Sequence, residues 1–97
     1  MYGLINQILV VPGQRAALVK VLAEGTRGMP GCIAYVIAND AANGDAIWIT
    51  EIWESKEAHA RSLQLRAVQT AMALGRPLIA GIGARAETTP VAGVGRR

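Results

Sequence analysis

Residues 2–11 are apolar on both faces of a strand. Leu4, Ile8 and Val10 alternate with Ile5, Leu9 and Val11, and only Asn6 and Gln7 break the pattern before Pro12-Gly13 ends it. Residues 46–54 repeat the arrangement, with Ile47, Ile49, Glu51 and Trp53 on one side and Trp48, Thr50 and Ile52 on the other. Strands of this kind need cover above and below. A chain of 97 residues has room for one domain and about one layer of helices. One sheet face is therefore left for something else, and a second copy of the chain is the simplest cover. With 52% apolar and 18% charged residues, little polar surface is available to leave that face wet.

The remaining pattern fills in the order. Residues 14–26 read as a helix with Leu18, Val21 and Leu22 on its apolar stripe, stopped by Gly25, Gly28 and Met29-Pro30-Gly31. Residues 32–38 read as a strand around Tyr35, and residues 39–45 as a small, polar hairpin connection. Ser55 suits an N-cap and Glu57 a first helical turn. The helix they open runs to about residue 63, and a second over 64–74 carries Leu65, Val68 and Met72. Residues 78–87 make a last strand, loosened by Gly81 and Gly83. The order β-α-β-β-α-β predicts an α+β, ferredoxin-like fold: a four-stranded antiparallel sheet with helices on one face. Residues 1–87 form the single domain, and residues 88–97 a flexible or partner-contacting tail. Two such sheets packed face to face give a homodimeric α+β barrel.

Several function classes drop out. The net charge of +3 includes Arg96 and Arg97, and the other basic residues are scattered without interleaved aromatics, so nucleic acid is not the expected partner. No apolar run is long enough for a membrane span, and no signal-peptide pattern opens the chain; a cytoplasmic protein is expected. One cysteine, Cys32, allows neither an internal disulfide nor a cysteine metal cluster, and one histidine makes a zinc site improbable.

Chemistry concentrates in Glu51-Ile52-Trp53-Glu54-Ser55-Lys56-Glu57-Ala58-His59. Alternation puts Glu51 and Trp53 on one strand face, and His59, the only histidine, follows at the start of the next helix. His59 is either a proton-handling group or a helix-start surface residue. Trp53 serves as core and as pocket wall. Glu51 on an apolar face needs a partner, with Arg66 or Arg85 the ion-pair candidates. Asn6 either donates to a ligand or satisfies nearby backbone. The expected pocket lies within one subunit, between the Glu51/Trp53 face and the helices. Ile49, Leu63 and Met72 are walls, and Tyr35 and Asn6 close the ends.

Pro30-Gly31-Cys32 with Tyr35, Asp45, and the run from Glu51 to His59 together resemble the antibiotic biosynthesis monooxygenase family, small dimeric α+β barrel proteins that include quinol monooxygenases. The resemblance spans residues 2–87. It implies oxidation of a quinol or polycyclic phenol by dioxygen without flavin, haem or metal, the substrate supplying the electrons. On that footing His59 handles the proton, Asn6 donates a hydrogen bond and Trp53 is a wall or indole donor, all around a small aromatic substrate. Ser62 stands where many members carry a second histidine, and Ile49 where some carry a polar residue. Those two departures favour a non-catalytic binding or sensing domain on the same scaffold; another barrel enzyme, such as an isomerase or lyase, is a third reading. The retained Trp53 and His59 favour the oxygenase. A haem-degrading relative would need a tryptophan and a histidine in later helices, and none follows Trp53 or His59.

Overall fold

The computed structural model describes residues 1–95. The last two residues of the expected tail, Arg96 and Arg97, lie outside them. Strand β1 (Tyr2–Val10) leads to α1 (Arg15–Gly25), β2 (Cys32–Asn39), β3 (Ala46–Trp53), α2 (Lys56–Ser62), α3 (Arg66–Gly75), a single 3-10 turn (Arg76–Leu78) and β4 (Ile79–Thr88). The strands form one sheet in the order β2-β3-β1-β4, each neighbour antiparallel. This is the ferredoxin-like arrangement.

Local chemistry accounts for the breaks. The Ser55 hydroxyl accepts from the Ala58 N–H at 3.0 Å and caps α2. The N–H groups of Leu63, Gln64 and Leu65 each reach back three residues to a carbonyl, so the chain tightens between the helices and α3 starts at Arg66 rather than residue 64. Strand β4 extends one residue into the expected tail because Thr88 pairs with Gly3. It is an edge strand with two register shifts against β1, at the glycine-rich stretch.

The face toward the helices holds the core. Ile8, Val10, Ile47 and Ile49 pack on Leu18 of α1. At the other end of the sheet Trp53 packs with Met29, Ala58 and Val68. The opposite face carries Ile5, Leu9, Trp48, Thr50 and Ile52 by alternation, with Val36 53% exposed in the single subunit. Asp40, at the start of the β2–β3 connection, folds back over that face. Its Oδ2 accepts from Gln7 Nε2 (2.9 Å) and from the Trp48 indole (2.8 Å), while Oδ1 accepts from the Ala42 and Asn43 N–H groups. Among the described residues no helix is long and apolar enough to cross a membrane.

Candidate active-site cavity

A cavity of about 120 Å³ lies between the Trp53 end of the sheet and the helices. Tyr35 of β2 and Glu51 and Trp53 of β3 form its floor, and His59 and Ser62 of α2, Leu63 just after it and Met72 of α3 cover it. Leu22, Thr26 and Met29 close the side toward α1. The floor residues share a face because Tyr35 pairs directly with Glu51 in the β2–β3 register, and Trp53 follows two residues later. The cover follows from the Ser55 cap, which starts α2 where its first turn brings His59 over Trp53.

Glu51 is the polar centre. Its Oε1 accepts from the Trp53 indole N–H at 3.0 Å and lies 3.9 Å from His59 Nε2. The imidazole meets the Trp53 ring edge-on at 5.4 Å and the Tyr2 ring at 5.7 Å. Burial pushes the Glu51 carboxyl above its ordinary range, opposed by the Trp53 hydrogen bond, the neighbouring imidazole and the more distant Arg85. Burial, and secondly the Glu51 charge, drives the Tyr35 hydroxyl far up, so it stays protonated. The same two causes raise the Cys32 thiol. The cavity thus offers one carboxyl, one imidazole and apolar or aromatic walls. On the Tyr2 side of His59, the Tyr2 hydroxyl donates to Glu87 at 2.6 Å, and Lys56 sits 3.6 Å from the same carboxylate.

Six expected site residues meet here: Tyr35, Glu51, Trp53, His59, Leu63 and Met72. Asn6 and Ile49 are not among the lining residues. They face each other across β1 and β3, one pair further along the sheet, and Ile49 is buried in the core around Leu18. The short-range partners of Glu51 are Trp53 and His59 rather than Arg66 or Arg85. Ser62 was legible only as a departure, yet it lines the cavity, and its hydroxyl donates to the His59 carbonyl at 2.6 Å. The available signal was its spacing three residues after His59, which puts both on one helix face. A wider groove of 520 Å³ runs between α1 and α3 but holds no aromatic or imidazole group. Among the described residues no cluster of His, Cys, Asp and Glu is suited to hold a metal ion.

Fold and cavity together define a small ferredoxin-like α+β domain with an acid–imidazole pocket between its sheet and helices. The family model for antibiotic biosynthesis monooxygenases matches residues 1–74, and the chain belongs to that family. A solved candidate antibiotic biosynthesis monooxygenase from Chloroflexus aurantiacus J-10-fl is 54% identical, with a TM-score of 0.95 over 97% of this chain and 96% of that one. Another from Caulobacter crescentus CB15 is 21% identical, TM-score 0.82, covering 94% and 90%. Rv0793 from Mycobacterium tuberculosis is 20% identical, TM-score 0.79, covering 97% and 98%. The last two share the fold. No curated protein matches the chain.

Proposed function

We propose that the protein is a cofactor-independent monooxygenase that oxidises a quinol or related phenol with dioxygen. The observation that carries the reading is the Glu51–His59 pair, 3.9 Å apart beside Trp53 in a mostly apolar cavity. Such oxidation begins with loss of a hydroxyl proton, because the phenolate gives up electrons to dioxygen far more readily than the phenol. The pair supplies the proton acceptor: His59 takes the proton, and the Glu51 carboxylate steadies the imidazolium. Tyr35, kept protonated, donates to the substrate oxygen. For a hydroquinone the balance is one quinol plus dioxygen giving a hydroxyquinone and water. The dry walls exclude solvent from the anion.

Size weighs against the polycyclic phenol, since the 120 Å³ cavity is already smaller than a ~150 Å³ cavity that takes benzene. The functional unit we propose is a homodimer packed sheet to sheet, in the cytoplasm. The binding-domain alternative has one observation in its favour: the Ser62 hydroxyl is committed to the His59 carbonyl, so it brings no second proton donor to the pocket. Aerobic incubation with substituted hydroquinones, following oxygen uptake and isotope transfer from labelled dioxygen against a protein-free control, separates the two. Saturable ligand binding with no oxygen uptake would select the binding domain.

A further inference from the structure

The cavity has a neighbour. A second hollow of about 260 Å³ opens between α3, the 3-10 turn and the start of β4, and Gly75, Ile79, Ala80 and Gly81 line it. Leu22, Ala71 and Met72 line both spaces, so these three side chains form the partition between them. Ala71 is small and buried. Met72 is 45% exposed and unbranched, the kind of side chain that changes rotamer at little cost. If it swings outward the two spaces join into a chamber of about 380 Å³, inside the range of roughly 300–1,000 Å³ usual for small-molecule sites. The inner part holds the acid, the imidazole and the phenol, Glu51, His59 and Tyr35, together with the Thr26 and Ser62 hydroxyls. The outer part is bounded mainly by aliphatic and glycine surface, with Arg76 also lining it.

This division assigns two roles to one ligand. Resting on the oxygenase reading, we propose that the substrate is a single-ring quinol or phenol bearing a short apolar side chain. The ring sits against Glu51 and His59, the side chain occupies the outer hollow, and Met72 is the residue that sets which chains enter. A bare ring leaves the outer hollow empty, and a fused polycycle exceeds the inner cavity while Met72 stays in place.

The test separates binding from turnover. Phenol and a series of 4-alkylphenols are titrated calorimetrically, without oxygen, into the wild type, Met72→Ala and Met72→Trp. Each methylene buried in the outer hollow should tighten binding about fourfold until the hollow is full. Met72→Trp, which thickens the partition at a half-exposed position and keeps the fold, should flatten that gain to less than about twofold across the series, and Met72→Ala should preserve it. No gain with chain length in the wild type, or an equal gain in Met72→Trp, overturns the proposal. Oxygen uptake is measured separately with the matching alkylhydroquinones. A chain-length gain without uptake removes the oxygenase reading and leaves the two-part site. Uptake with no preference for alkylated rings keeps the oxygenase and removes the side-chain assignment.

Discussion

A Cβ atom placed on Gly31 would fall 2.7 Å from the Cβ of Ala58. The turn entering β2 and the first turn of α2 therefore touch with nothing between them. Gly31 also has a φ of 81°, the left-handed region that side chains avoid. The Glu54 N–H bonds to the Gly31 carbonyl at 2.9 Å, tying this turn to the end of β3. One glycine thus sets the height of α2 above Trp53, and with it the position of His59.

Gly31→Ala should accordingly destabilise the fold by about 2–4 kcal/mol, from left-handed strain and overpacking together. Chemical denaturation measures the loss. Ligand affinity should fall as well, since α2 has to move outward. A variant as stable as the wild type would show that the contact relaxes freely.

Glu51→Gln isolates the cost of the buried acid. The folded-state pKa is raised, so the native chain holds the proton more tightly than the unfolded one. The contribution of Glu51 to stability is then fully present below the ordinary glutamate range and is lost as pH rises through the raised value. Glutamine keeps an acceptor for the Trp53 indole. Glu51→Gln should melt above the wild type at pH 8, with the gap closing toward pH 4. Thermal melts across that interval check it, and a gap that widens on acidification would contradict the assignment. In turnover, Glu51→Gln should lower kcat more than it raises KM.

The open sheet face gives the third expectation. Ile52 and Val36 flank Thr50 there, and none of these side chains is charged. If that face packs on a second copy, Ile52→Asp buries a carboxylate without a partner at a cost of several kcal/mol. Light scattering at micromolar concentration should show a dimer for the wild type and a monomer or unfolded chain for the variant. A folded wild-type monomer would remove the barrel.

Much of this was legible along the chain. Period-two alternation assigned Glu51 and Trp53 to the helix face and Trp48 and Ile52 to the other, and the Ser55 cap and the Met29-Pro30-Gly31 stop are local chemistry. What stayed hidden depends on contacts between distant residues. Alternation shows that Asn6 and Ile49 share the face of Glu51, but not how far along β3 the cavity extends. That limit is set where α2 and α3 cross the sheet. Asp40 read as a hairpin residue; its hold on Gln7 and Trp48 exists only once β1 and β3 pair in the observed register. Charge is visible in a sequence, so Arg66 and Arg85 stand out as partners for Glu51, whereas an indole two residues away is visible only as bulk.

That indole supports the last prediction. The Trp53 N–H bonds to the Glu51 carboxylate at 3.0 Å and favours its charged form, against the burial that disfavours it. Trp53→Phe keeps an aromatic wall and deletes the donor, so the Glu51 pKa should rise further. Trp48→Phe is the matched control. It removes an indole donor from Asp40 on the opposite face, where the Ala42 N–H is the main cause of a lowered pKa. Carboxyl carbon NMR of the glutamates and aspartates reads both directly and needs no substrate. Trp53→Phe should move the Glu51 titration to higher pH, and Trp48→Phe should leave it in place while raising that of Asp40. If turnover requires ionised Glu51, the acid limb of the rate profile should follow the same upward shift in Trp53→Phe alone. An unmoved Glu51 titration would mean that solvent replaces the indole, and that the cavity is wetter than its walls imply.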